Sequence, residues 1–164
     1  MKYKSYIFFL LIILLACSSK TKTVTETSVK AVYIQKDKEI FEQILQKFSS
    51  EKDASTTELM IKVGTCFIDT PYVAHTLETE PEQLVVNLRE LDCTTFAENC
   101  LAIARTIKSE TPSFEQFTCE LQNIRYRNGV IDGYLSRIHY FSDWIFENSK
   151  NHLVKDISKE TANT

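Results

Sequence analysis

The chain has 164 residues, a formal net charge of -3 and 43% apolar residues, which is enough for one folded domain of ordinary size. The mildly acidic balance and the lack of a basic stripe argue against binding to nucleic acid. Gly and Pro number only three each, which favours long helices and argues against a small all-β fold.

The first sixteen residues have the pattern of an export signal. Lys2 and Lys4 give a positive start, and residues 6–15 form an apolar run that is too short to span a bilayer as a mature helix. Leu-Leu-Ala then precedes Cys17, which resembles the lipobox that the lipoprotein signal peptidase cuts. An uncleaved anchor or an ordinary secretory signal is the alternative. We therefore expect residues 1–16 to be removed and Cys17 to carry the lipid that anchors the protein to a membrane.

The residues after Cys17 indicate a location and a tether. The residue after Cys17 is Ser18 and not Asp, and this resembles the pattern that sorts lipoproteins to the outer membrane. The expected location is therefore the periplasm-facing surface of that membrane. Residues 17–36 are rich in Ser, Thr and Lys and are predicted to form a flexible tether. The folded domain is predicted over residues 37–158, followed by a polar tail over 159–164.

Apolar periodicity predicts two helices and a strand in the first half of the domain. A helix begins near Asp37 and places five apolar side chains on one face: Ile40, Phe41, Ile44, Leu45 and Phe48. A capping box that starts at Ser55 opens a second helix through about Val63. Residues 84–88 are a candidate for a short strand.

Three more helices are predicted in the second half. The first runs over residues 93–108, and its apolar positions spread widely enough for a well-buried helix. Ser113 starts a second capping box, which opens a helix over residues 114–124. Residues 127–129, Arg-Asn-Gly, indicate a turn, and residues 137–149 are predicted to be helical.

The cysteines of the mature domain leave several possibilities open. They are Cys66, Cys93, Cys100 and Cys119. An exported protein can form disulfides, and four thiols allow three pairings between which the sequence does not choose. No CxxC pair is present, and no cluster of Cys and His has the spacing of a zinc site. We therefore predict neither a metal nor a cofactor.

Cys93 lies in the most informative position, directly after Asp92 at the start of the third predicted helix. Unpaired backbone N–H groups and the positive end of the helix dipole favour a thiolate there. The same N–H groups are suited to hold an oxyanion during acyl transfer, and Asp92 can cap the helix. The alternative is a buried cysteine that only packs. Cys100 lies seven residues further along and is assigned to the core.

Residues 92–99, DCTTFAEN, resemble the DCTTFVEN segment of a family of cell-wall amidases, a branch of the NlpC-type papain-like cysteine peptidases. Residues 70–78, TPYVAHTLE, are similar to a segment that precedes the cysteine in that family, and residues 125–129 and 133–144 are similar to segments that follow it. The resemblance covers residues 55–158. It implies an α+β, papain-like NlpC-type fold and hydrolysis of the N-acetylmuramoyl-L-alanine bond in peptidoglycan fragments, the muropeptides.

The resemblance also implies roles for single residues. Cys93 matches the nucleophile, and Tyr72 matches a tyrosine that lies beside it and helps to orient substrate. Asp69 stands where the family has Gly, which accepts backbone angles that Asp accepts less readily. Asp92, Arg137 and His139 are predicted to bind substrate, since a rich set of polar and aromatic residues surrounds His139 in the sequence.

The catalytic base is the open question, because a thiolate nucleophile needs a partner, usually histidine. The chain has three histidines, His75, His139 and His152. A structural or a catalytic role remains an alternative for His139. His75 is predicted either to line the cleft or to lie on a solvated loop, and His152 to be exposed. Arg125 and Arg127 are interpreted either as ligands of a muropeptide carboxylate or as surface residues beside a turn.

The family's base lies on a strand after the cysteine helix, in an HVG-like segment that this sequence does not contain. The family domain also continues past the part that matches residue 157. We therefore expect a C-terminally truncated domain, with the helical half present and most of the β-sheet missing. Two functions follow as alternatives: a lipid-anchored cysteine amidase, or an incomplete lipoprotein that binds muropeptides or has no activity.

Overall fold

A computed structural model describes residues 29–158 of the chain. The elements occur in this order: β1 (Ala31–Val32), α1 (Gln35–Phe48), α2 (Thr56–Thr65), β2 (Leu84–Val85), α3 (Cys93–Ile107), α4 (Phe114–Arg125) and α5 (Phe141–Lys150). Single 3-10 turns lie at Arg127–Gly129 and Tyr134–Ser136. This mainly helical architecture with a small two-stranded sheet is compatible with the predicted α+β class.

Several predictions lie outside the described residues. They are the export signal, the lipidation of Cys17, most of the tether and the polar tail over 159–164. Within residues 29–158, no helix is both long enough and apolar enough to cross a bilayer.

The central helix is α3, which packs against α2 on one side and α4 on the other. Its apolar side chains are buried around most of its circumference, with Leu101 at 3% exposure and Ile103 and Ile107 at 0%. The sequence predicted this wide apolar face. Because α3 is enclosed along most of its length, its first residue has a well-defined position.

Side-chain caps begin the two helices that flank α3, as the sequence predicted. Ser55 Oγ accepts a 3.1 Å hydrogen bond from the N–H of Glu58 at the start of α2. Ser113 Oγ accepts one of 3.1 Å from the N–H of Gln116 at the start of α4. Each hydroxyl satisfies an N–H that has no partner inside the helix.

Helix α1 buries the face that its periodicity indicated, with Phe41, Ile44 and Phe48 at 5% exposure or less. The ring of Phe41 stacks on that of Phe117 with the centroids 4.9 Å apart. This contact attaches α1 to α4 through two large apolar side chains.

The folded domain begins earlier than the predicted boundary after residue 36. Strand β1 pairs in parallel with β2, with Ala31 opposite Leu84, and α1 already begins at Gln35. Ile34 donates its backbone N–H to Asp37 Oδ2 at 3.0 Å. The composition of this segment resembles a tether, but its pairing with a strand some fifty residues away depends on the tertiary fold.

The last predicted helix starts four residues later than expected, at Phe141 instead of residue 137. Arg137 forms an antiparallel bridge with Tyr126, and Ile138 donates its N–H to the carbonyl of Arg125 at 2.9 Å. These long-range backbone bonds hold the segment extended. Ile138 and Trp144 are buried, whereas Phe141 is 52% exposed.

Candidate active site

Cys93 is the first residue of α3, and its side chain is exposed. This exposure excludes the alternative in which Cys93 is a buried packing residue. Asp92 caps the helix as predicted: its Oδ1 accepts the N–H of Thr95 at 2.8 Å, and its own N–H is donated to Thr95 Oγ1 at 2.8 Å. This reciprocal pair fixes the turn of backbone that carries the thiol.

A backbone bridge brings Tyr72 next to the segment that leads into α3. Leu91 donates its N–H to the carbonyl of Pro71, and Val73 donates to the carbonyl of Leu91, both at 3.1 Å. Tyr72 and Cys93 consequently line one open depression of about 250 Å³, which we call the Cys93 depression. Its other walls are Phe67, Thr70, Leu91, Asp92 and Phe96.

The loop before Tyr72 contains Asp69 with a φ of 69°. This is the left-handed region that glycine favours, and Asp is among the few other residues that tolerate it. Asp69 therefore keeps a glycine-like backbone conformation at the position where the resembling family has Gly.

A second cavity, of about 220 Å³, shares Asp92 with the Cys93 depression. We call it the arginine cavity, and the charged and imidazole side chains that line it are His75, Glu78, Asp92, Glu98, Arg125, Arg137 and His139. The structure thus brings three of the predicted substrate-binding residues together: Asp92, Arg137 and His139. Cys93 and Tyr72 line the neighbouring depression, and Asp92 belongs to both.

Arg137 and His139 have different environments in the arginine cavity. Arg137 is buried and forms ion pairs with Glu78 at 3.1 Å and with Glu82 at 3.2 Å. His139 is exposed, its ring stacks on that of Tyr134 at 4.0 Å, and its Nε2 lies 2.8 Å from the carbonyl of Tyr134. Because a carbonyl only accepts hydrogen bonds, this contact places a proton on Nε2.

The buried pair of Glu98 and Arg125 was missed by the sequence analysis. Arg125 Nε donates to Glu98 Oε2 at 2.7 Å, and Nη1 donates to the carbonyl of Val85 at 2.5 Å. Burial raises the pKa of Glu98, and the positive charge of Arg125 opposes that shift. The only sequence signal that could have indicated a role for Glu98 is its place in the DCTTFAEN segment.

The two arginines beside the turn at residues 127–129 differ in burial. Interpreting Arg125 as a surface residue was wrong, since it is 1% exposed and lines the arginine cavity. Arg127 is partly exposed and forms ion pairs with Asp143 and with Glu147 on α5. Arg127 therefore joins the turn to α5 and does not line the cavity.

The thiols of Cys100 and Cys66 lie in surroundings that differ from those of Cys93. Cys100 is buried, and burial raises its pKa to about 12, as expected for a core residue. Cys66 is half-buried, with Lys47 Nζ at 3.5 Å from its sulfur. Neither forms a disulfide. Among residues 29–158, no group of three His, Cys, Asp or Glu side chains is arranged to hold a metal ion.

The family model described as N-acetylmuramoyl-L-alanine amidase-like, the AmiA-like family, matches residues 62–164. The chain belongs to this family. The match includes both depressions, from Tyr72 and Cys93 to Arg137 and His139. No curated protein matches the chain significantly.

Two solved structures that are similar to this amidase-like protein come from Bacteroides. An N-acetylmuramoyl-L-alanine amidase from Bacteroides uniformis ATCC 8492 is 46% identical, with a TM-score of 0.55, over 60% of this chain and 41% of that one. A protein from Bacteroides fragilis that is provisionally named a xylanase is also 46% identical, with a TM-score of 0.55, over 59% and 42% of the two chains. The amidase-like chain thus spans less than half the length of these proteins.

Proposed function

We propose that this chain supplies the nucleophile of a cysteine-dependent amidase that cleaves the N-acetylmuramoyl-L-alanine bond of muropeptides, on an NlpC-type papain-like fold. The observation that carries the proposal is the exposed thiol of Cys93 on the first residue of α3, with Tyr72 in the same depression. Membership of the amidase-like family supplies the class of substrate.

The backbone at the start of α3 is arranged for acyl transfer. The N–H of Thr95 is used by Asp92 Oδ1 and that of Phe96 by the carbonyl of Asp92. The N–H groups of Cys93 and Thr94 are thereby left for an oxyanion. In the proposed reaction the Cys93 thiolate attacks the amide carbonyl, a protonated base gives its proton to the leaving amine, and water hydrolyses the thioester.

A second candidate function is binding of muropeptides without hydrolysis. Within residues 29–158, no histidine lines the Cys93 depression, and His75 and His139 lie in the neighbouring arginine cavity. A base must come within hydrogen-bonding reach of the thiol once substrate is bound. Hydrolysis by the 164-residue chain therefore depends on whether one of these imidazoles can approach Cys93.

The deciding experiment incubates the 164-residue chain with an N-acetylmuramoyl-L-alanyl peptide and follows release of the peptide by mass spectrometry. We expect release by the parent chain and none by Cys93→Ser. Cys66→Ser is the matched control, since it removes a thiol outside both depressions and should keep activity. Binding of the peptide without release would establish the second candidate, and absence of both would refute the two proposals together.

We further propose that residues 1–16 are an export signal, that Cys17 carries the lipid, and that the domain faces the periplasm from the outer membrane. The lipobox-like sequence before Cys17 supports this location, and muropeptides arise where peptidoglycan lies. Labelled palmitate should enter the parent chain and the control Cys66→Ser, but not Cys17→Ser. Recovery of unchanged labelling in Cys17→Ser would contradict the lipid assignment.

A further inference from the structure

Lys47 and Cys66 form a pair of nucleophilic side chains outside both depressions. Lys47 lies in the last turn of α1, and its Nζ donates a hydrogen bond to Cys66 Sγ at 3.5 Å. Within residues 29–158, the amine forms no ion pair with a carboxylate, so the sulfur is its polar partner. Its other contact is with the ring of Phe48, whose centroid lies 5.1 Å away. The pair therefore joins the end of α1 to the end of α2, where Cys66 is the C-cap.

A cavity of about 350 Å³ opens beside this pair. Lys47 and the half-buried Cys66 line it, together with apolar side chains that include Phe67 and Leu88. A small uncharged oxidant such as hydrogen peroxide can therefore reach the sulfur from solvent. Phe67 is also a wall of the Cys93 depression, so the cavity and the depression lie on the same segment of the chain.

The thiol of Cys100 is the competing partner for an oxidised Cys66. Burial, and to a smaller extent the charge of the nearby Cys66, raise the pKa of Cys100 to about 12. Cys100 consequently stays a thiol at neutral and mildly alkaline pH, and a thiol is a poorer nucleophile than a thiolate. It is also only 1% exposed, whereas Lys47 is exposed and has a flexible four-carbon stem. The amine is thus better placed than the second thiol to react with Cys66.

We propose that Cys66 and Lys47 form a peroxide-dependent modification site, in which oxidation of Cys66 ends in a covalent S–N bond to Lys47. Hydrogen peroxide first transfers an oxygen atom to the thiol, which gives a sulfenic acid and water. The unprotonated amine then attacks the sulfur, the S–O bond breaks, and the hydroxide leaves as water with a proton from the nitrogen. The sulfur loses two electrons and the peroxide gains them. The product is a sulfenamide, the class of bond that sulfenic acids form with nitrogen.

Peptide mapping by mass spectrometry tests the proposal on the full chain carrying Cys93→Ser, which removes the exposed thiol that would also consume peroxide. The chain is treated with hydrogen peroxide at mildly alkaline pH, where more of the amine is unprotonated. We expect a crosslinked species that contains the peptides of Lys47 and Cys66 and is lighter than their sum by two hydrogen atoms. Dithiothreitol should return it to the two separate peptides.

Two lysine variants locate the nitrogen. Lys47→Arg keeps the positive charge but has no primary amine, so it should lose the crosslink and accumulate the sulfenic acid of Cys66, which dimedone traps. Lys62→Arg is the matched control. The carbonyl of Lys62 lies 3.9 Å from Cys66 Sγ, but the Lys62 amine is paired with Glu51 and Glu58. Lys62→Arg should therefore leave the yield of the crosslink unchanged.

Other products would overturn the proposal. A disulfide between Cys66 and Cys100, or a sulfinic acid on Cys66 without a crosslink, would show that the amine does not trap the sulfenic acid. An undiminished crosslink in Lys47→Arg would assign the bond to another nitrogen. An unmodified Cys66 would show that the site does not react with peroxide. None of these outcomes depends on hydrolysis of an amide, so this proposal and the proposed function fail separately.

Discussion

Arg125 Nε donates a 2.7 Å hydrogen bond to Glu98 Oε2, and neither side chain exposes more than 2% of its surface. The pair joins α3, the helix that begins with Cys93, to the last turn of α4. Arg125 also reaches the carbonyl of Val85 in β2. A single guanidinium therefore holds three elements around the candidate site.

Removing one partner of this ion pair should be strongly destabilising. Glu98→Ala leaves the charge of Arg125 buried without its counterion, which costs about 3–5 kcal/mol. The measurement is the free energy of unfolding in urea. Glu39→Ala is the control, since it breaks an exposed 3.4 Å pair with Lys36 and should cost under about 1 kcal/mol. Similar losses in the two variants would show that Glu98 contributes little to the fold.

The capping of α3 by Asp92 should be separable from the negative charge of the Asp92 side chain. Asp92→Ala removes the acceptor of the Thr95 N–H and should cost about 1 kcal/mol of unfolding free energy. Asp92→Asn keeps an acceptor at the same place and should cost much less. Ser55→Ala removes the corresponding cap of α2 and should resemble Asp92→Ala. If Asp92→Ala were as stable as the parent chain, the cap would not contribute to the position of Cys93.

The buried thiol of Cys100 predicts a loss of stability at alkaline pH. Burial raises its pKa from the usual 9.0 to about 12, so between these values the unfolded chain releases a proton that the folded chain retains. The contribution of this thiol to stability is complete below pH 9 and falls as the pH rises towards 12. In Cys100→Ala the unfolding free energy should depend less steeply on pH over this range. If the unfolding free energy of Cys100→Ala depended on pH as steeply as that of the parent chain, groups other than Cys100 would cause the loss of stability at alkaline pH.

Cysteine accessibility offers a second check in the same helix. Iodoacetamide should label the exposed Cys93 in the folded chain and leave the buried Cys100 unlabelled until urea unfolds it. Peptide mapping by mass spectrometry distinguishes the two sites. Labelling of Cys100 at the rate of Cys93 would contradict the enclosure of α3.

Asp69 has a backbone conformation in which the choice of residue should matter. Its φ of 69° lies in the left-handed region, which costs an ordinary residue about 1 kcal/mol more than it costs Gly. Asp69→Ala should therefore be less stable than Asp69→Gly, as measured by urea unfolding. The same two substitutions at the exposed Asp53 should not show this order. If Asp69→Ala were more stable than Asp69→Gly, the left-handed backbone conformation of Asp69 would be refuted.

Local patterns in the sequence were sufficient to predict most of the helices. The faces of α1 and α3 follow from apolar spacing, and the starts of α2, α3 and α4 follow from Ser55, Asp92 and Ser113. The exposure of Cys93 at the start of a helix also agrees with its predicted position. These features depend on residues that lie within a few positions of one another, so a local pattern contains them.

Long-range contacts determined the remaining features. The pairing of β1 with β2, the extended backbone at Arg137 and the burial of Arg125 each join segments that are distant in the chain. Arg125 was a surface candidate because it lies beside a turn, whereas Glu98 on the enclosed α3 supplies the counterion that allows its burial. The meeting of the two depressions at Asp92 likewise depends on how α3 packs. Local residue patterns specify which helices form, but charge pairing and backbone bonds across the fold determine which side chains meet.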